Sequence, residues 1–161
     1  MKPLIIVVVA ALTLGACANE AFIDEVERAP NSEILEAGRL GTTQLVAGDC
    51  FSERPGSAVR SVDAVPCGEP HRGQVLGRVS SEQSDTWPGV ESLTAEAGPL
   101  CMRLAGDRLA PHLSDNLGLP MFGLSAYIPD ESAWDDGDRS IVCWAEAVEP
   151  VAIDLRTVIP A

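Results

Sequence analysis

Five cysteines divided as one plus four constrain this chain more than any other feature. Cys17 closes an apolar N-terminal run, whereas Cys50, Cys67, Cys101 and Cys143 are spread through the polar remainder. Met1, Lys2 and Pro3 make a short positive start, residues 4–14 are almost unbroken hydrocarbon, and Gly15-Ala16 supply the small residues that a signal peptidase needs. This is the pattern of an export signal. The run from 4 to 18 falls short of the roughly 18 or more apolar residues of a membrane-spanning helix, so removal is expected rather than permanent insertion.

Leu14-Gly15-Ala16-Cys17 resembles the bacterial lipobox, in which the cysteine sulfur receives a diacylglycerol and becomes the mature N-terminus. Cys17 is then a lipid anchor. Ordinary secretion is the competing reading, because Ala16 and Ala18 flank Cys17 in an A-x-A pattern. Two or more acyl chains, at roughly 0.8 kcal/mol per buried methylene, hold a protein to a bilayer where one chain is marginal. The chain is therefore expected to be exported, with the membrane as its first partner.

Removing the first 16 of 161 residues leaves 145, the size of one domain with a tether. Lys2 is the only lysine, so losing it takes the formal charge from −13 to −14. Such acidity argues against a nucleic-acid partner and against electrostatic adhesion to anionic lipid. In an exported chain the four remaining cysteines form an even set that an oxidising compartment pairs. Three connectivities are possible. Cys50 with Cys67 brackets a hairpin-sized segment and Cys101 with Cys143 can tie a helix to a late strand, so these two bridges are expected.

Residues 17–41 are acidic and Ala/Glu-rich with a break at Pro30-Asn31, and read as a partly helical or disordered tether; the domain is placed at 42–161. Segments 58–65, 74–80, 121–128 and 140–148 are rich in Val and Ile between Gly, Pro or Asp, and are predicted strands. Residues 151–159 are a predicted edge strand stopped by Pro160. Between them, Leu93, Ala97, Leu100, Cys101 and Leu104 share one helical face within 90–109, with Cys101 turned inward. Gly98-Pro99 leaves one kinked helix and two short ones equally open. The expected class is α+β: a small antiparallel sheet covered by one or two helices, with two disulfides.

Gly48-Asp49-Cys50-Phe51, then Val65-Pro66-Cys67 with Pro70-His71, and later Tyr127-Ile128-Pro129, Trp134 and Gly137-Asp138-Arg139 with Val142-Cys143 form an ordered series. Taken together it resembles the septum-formation domain family of bacterial envelope proteins, over about residues 46 to 146. The resemblance implies a link to cell division and supplies no activity. Locally, Asp49 can accept N–H groups in the turn that Gly48 permits, and Gly137 can reverse the chain after one helical turn.

His71 invites a catalytic or zinc reading. Zinc sites use tight pairs such as C-x-x-C, which this chain lacks, so no metal is expected. As a general base His71 would need an acid, for which Asp49, Glu69 or Asp85 could serve, and a nucleophile from Ser52, Ser57 or Ser61, yet no strained serine turn is present. A hydrogen bond at a strand end is its expected job. Asp138 and Arg139 could clamp a planar ligand or close a turn through a salt bridge. Trp87, Tyr127, Trp134 and Trp144 could form a surface platform for a glycan or peptide, with Trp144 otherwise expected to pack beside the disulfide. Asp135, Asp136 and Asp138 lack calcium-loop spacing and read as solvated charge. No cofactor is expected. The favoured function is a lipid-anchored, non-catalytic domain binding an envelope protein or peptidoglycan, through candidates His71, Asp138, Arg139, Trp134 and Tyr127; the alternative is an envelope hydrolase using His71 and an acidic neighbour.

Overall fold

A computed structural model describes residues 26–52, 60–113 and 122–158. The expected signal peptide, Cys17, the first part of the expected tether, the start of the 58–65 strand, Met121 and the residues after 158 lie outside the described residues. The strands are β1 (Gly38–Gly41), β2 (Cys50–Phe51), β3 (Ser61–Val65), β4 (His71–Ser80), β5 (Phe122–Tyr127) and β6 (Ser140–Val151), and the helices are α1 (Val90–Leu113), α2 (Glu131–Asp135) and α3 (Leu155–Val158). All strand pairs are antiparallel, in the order β1-β3-β2-β4-β6-β5. The class is α+β, as expected.

Strand β6 organises both faces, because successive residues of a strand point to opposite sides. Ile141 and Cys143 pack with Ala97 and Cys101 of α1, and Ala145 joins Ala105, Leu76 and Leu155. Val142 and Trp144 point the other way, into a core with Phe51, Tyr127, Leu40 and Val62. The expectation that Trp144 packs beside the disulfide is therefore corrected: its neighbour in sequence, Cys143, occupies the opposite face. Trp144 stacks on Tyr127 at 5.6 Å and meets the edge of Phe51 at 5.1 Å.

Two disulfides join these parts, Cys50–Cys67 and Cys101–Cys143, each with Cα atoms 5.3 Å apart. Their sequence separations are 17 and 42 residues, for which chain entropy gives about 3 and about 4 kcal/mol. Helix α1 is one element running through Gly98-Pro99, with Leu93, Ala97, Cys101 and Ala105 buried at intervals of four. The regular burial of that face outweighs the one hydrogen bond that a proline forfeits.

The sequence expectation for the N-terminal tether needs correction from Val26 onward. Residues 27–35 form a hairpin about Pro30-Asn31, with an Arg28–Ile34 bridge and the Leu35 amide donating to the Glu27 carbonyl at 3.0 Å. Ile34 and Leu40 are buried, and β1 pairs with β3. The guanidinium of Arg28 grips Asp49 at 2.5 and 2.8 Å, and the second carboxylate oxygen also accepts the Val46 amide. The Asp49 side chain is 1% exposed, so it needs that partner: an unpaired buried charge is far costlier than a paired one. Acidic composition disguised a segment that is held by a cation.

The predicted C-terminal edge strand is also corrected. Residues 152–158 leave the sheet after Val151 and end in α3, because Asp154 caps it by accepting the Arg156 amide at 2.9 Å. Buried Gln74 locks the cap in place, donating to Asp154 at 2.7 Å and accepting the Leu155 amide at 2.7 Å.

Gly73 has a packing reason of its own. A Cβ there would lie 1.9 Å from the Phe51 ring, which sits directly across the β2–β4 pair. Gly73→Ala must displace Phe51 from the aromatic core and is expected to lower the unfolding free energy by about 1–3 kcal/mol in urea titration. An unchanged midpoint would contradict the described packing.

Candidate functional site

A cleft of about 290 Å³ opens at one end of the sheet. Its position follows from how the sheet curls. Strands β3 and β5 are four places apart, roughly 19 Å in a flat sheet at 4.8 Å per strand. Yet Arg60, just before β3, reaches Asp130, just after β5, at 2.7 Å. Strand β2 holds only two residues, and the chain just before it runs on beside β4, with the Gly48 amide donating to the Val75 carbonyl and the Val75 amide to the Asp49 carbonyl. Arg78 of β4 holds the start of this segment, donating to the carbonyls of Leu45 at 3.0 Å, Thr42 at 3.1 Å and Thr43.

One wall of the cleft is therefore the turn Thr42–Gln44 with Arg60 and Arg78. The opposite wall is α2 and the turn after it, carrying Asp130, Ser132, Asp136 and Asp138. Tyr127, Ile128, Pro129 and Val142 contribute apolar lining. The acidic wall is shaped by its own local bonds. Asp130 caps α2 by accepting the Ala133 amide at 2.9 Å, Gly137 takes φ +92° to reverse the chain, and Asp138 accepts the Ser140 amide at 2.8 Å. The positive φ at Gly137 is what its place after one helical turn led us to expect.

Of the five binding candidates read from sequence, the structure brings Tyr127 and Asp138 to this cleft. Arg139 and Trp134 go elsewhere. The Arg139 guanidinium lies 3.9 Å over the Trp134 ring and donates to the Trp134 carbonyl at 2.6 Å. The Trp134 indole N–H donates to the Asp85 carbonyl at 2.9 Å and its ring meets Trp87 edge-on. Trp134 is fully buried, so this group fastens the 81–89 loop. Asp138 and Arg139 form no side-chain salt bridge with each other, and Arg139 donates instead to the Asp138 backbone carbonyl at 3.2 Å, which corrects that expectation. Nor do the aromatics make a surface platform: Trp134, Trp144 and Tyr127 are all buried.

His71 sits at the far end of β4, 2% exposed, with Nδ1 2.8 Å from the Glu69 carbonyl. This is the strand-end hydrogen bond expected of it, and it is not part of the cleft lining. Among the described residues no group of three or more His, Cys, Asp or Glu side chains could hold a metal ion.

Sequence reasoning passed over Arg60, Arg78, Thr42 and Thr43. Arg78 did leave a signal, a charge inside the apolar strand Val75-Leu76-Gly77-Arg78-Val79. Arg60 left none, since its partner is 70 residues away.

Among the described residues, two buried side-chain polar atoms have no hydrogen-bond partner, the Tyr127 hydroxyl and the Trp144 indole N–H. Burial pushes the Tyr127 pKa well above its ordinary value, and the charge of Glu146 adds to the shift.

The architecture is that of a disulfide-stapled α+β domain with a ligand-sized cleft at the end of a curled sheet. A family model described as septum formation matches residues 28–143, and the chain belongs to that family. The match begins within the N-terminal hairpin and ends at Cys143. No curated protein and no solved structure matches the chain. Both disulfides are consistent with an extracytoplasmic location, and no helix among the described residues is long and apolar enough to cross a membrane.

Tyr127 is the only tyrosine, so its titration can be read directly. The unfolded chain loses this proton near the ordinary value of about 10, while the folded chain retains it, so stability falls as pH rises above that point. Absorbance titration should show no tyrosinate at pH about 11 until unfolding, seen by circular dichroism, releases it. A tyrosinate band near pH 10 in the folded protein would contradict this burial.

Proposed function

We propose that the protein is a lipid-anchored, extracytoplasmic, non-catalytic module that binds a cell-envelope partner near the division site through the cleft between Arg60 and Asp136. The observation that carries the binding reading is that cleft, which combines apolar lining with hydroxyls and charges of both signs on rigid supports. Membership of the septum formation family supports the link to division. The lipobox at Cys17 supports attachment.

The hydrolase reading needs His71 in an open site beside a nucleophile. Its burial and its bond to the Glu69 carbonyl speak for a structural role and favour binding. Envelope protein and peptidoglycan both remain partners of the expected kind.

Mass spectrometry of the chain recovered from membranes tests the anchor: the N-terminal peptide should begin at Cys17 carrying acyl mass, and Cys17→Ala should leave the membrane fraction. An unmodified N-terminus at Asn19 would sink the anchored reading. Photo-crosslinkers at Thr43 and Ser132 should capture an envelope component that a crosslinker at Glu69 does not; equal capture from all three positions would remove the cleft from the function.

A further inference from the structure

The charges of the cleft are sorted by wall. Arg60 and Arg78 stand on one side, and Asp130, Asp136 and Asp138 on the other. What matters for a ligand is which of them are already committed. Arg78 is committed to three backbone carbonyls. Asp130 uses one oxygen to cap α2 and the other to meet Arg60. Asp138 uses Oδ1 on the Ser140 amide, which leaves its Oδ2 without a partner among the described residues. The exposed side chain of Asp136 has none there either.

The Arg60–Asp130 contact is weakly held, because the two side chains are 81% and 42% exposed and solvent screens such a pair. A carboxylate entering the cleft can take the guanidinium in bidentate geometry, which suits arginine better than one aspartate oxygen does. Asp130 would keep its helix cap throughout. On the facing wall the unspent oxygens of Asp136 and Asp138 suit an ammonium group. Hydroxyls of Thr42 and Thr43 on one wall and Ser132 on the other also line the cleft and can serve peptide amides.

We propose that the cleft takes a short dipolar peptide, its ammonium group held by Asp136 and Asp138 and its carboxylate by Arg60. The volume supports a short ligand, since about 290 Å³ lies at the lower edge of small-ligand pockets, roughly 300–1,000 Å³. The apolar lining from Tyr127, Ile128 and Val142 selects against a bare hydrated ion, which would gain nothing from it. An acidic protein that simply attracted cations would have no use for the arginine wall. This inference rests on the cleft being the binding surface and specifies what that surface recognises.

The test uses the full chain in detergent and three probes: trialanine, its N-acetyl form and its C-terminal amide, titrated by calorimetry and by amide chemical shifts. Trialanine should bind saturably with shifts at Thr42, Thr43 and Ser132, and blocking either end should weaken it roughly tenfold. The variants should cross over. D136N/D138N should lose affinity for trialanine and for the amide but not for the acetylated probe. Arg60→Gln should lose affinity for trialanine and for the acetylated probe but not for the amide. Circular dichroism confirms folding, and the crossed pattern cannot arise from general loosening. Equal binding of all three probes, or no saturable shift at these residues, overturns the proposal. If crosslinking nevertheless captures a partner at the cleft, the dipolar specificity falls while the binding reading survives.

Discussion

The Cys101–Cys143 bridge decides which face of β6 turns toward α1, and most of the structure follows from that choice. With Cys143 pinned to the helix, Ile141 and Ala145 must share its face, and Val142 and Trp144 must take the other. A shift of one residue would exchange the two sets. It would bury Trp144 under a helix lined by alanine and put Cys143 among aromatic rings. The bridge, worth about 4 kcal/mol by chain entropy, thus fixes register as well as stability.

The second bridge works at the other side of the sheet, where regular structure is thinnest. Strand β2 is two residues long and cannot hold β3 and β4 together by backbone bonds alone. Cys50–Cys67 joins it to the turn after β3, and the Arg28–Asp49 pair ties the N-terminal hairpin to the same spot. Gln74 adds α3 to this junction. Three segments distant in sequence meet around one short strand, and each contact is a side-chain bond. The cleft lies away from this junction, where Arg60 before β3 meets Asp130 after β5.

Legibility in the sequence followed the range of the forces. Four strands, the inward face of α1, the turn at Gly137 and both cysteine pairs were readable, because periodicity, glycine and the parity of cysteines are local or countable signals. Strand β1 was not, since Gly38-Arg39-Leu40-Gly41 offers one buried apolar side chain between two glycines. The hairpin before it looked like a tether because its anchor is a charge pair spanning 21 residues. At the cleft, Tyr127 and Asp138 stood out within a recognisable series. Arg60 did not, because only the curl of the sheet brings it to Asp130. Trp144 shows the same limit in miniature: adjacency in a strand means separation by a whole sheet.

The central claim is that two covalent sulfur bridges, in this pairing, set the register from which the cleft arises. The most direct measurement is non-reducing proteolysis of the purified protein, with free thiols blocked under denaturing conditions and the linked peptides identified by mass spectrometry. The account predicts Cys50 linked to Cys67 and Cys101 linked to Cys143, with no label on any of the four. Any crossed linkage, or labelling of Cys101 and Cys143 as free thiols, would contradict it.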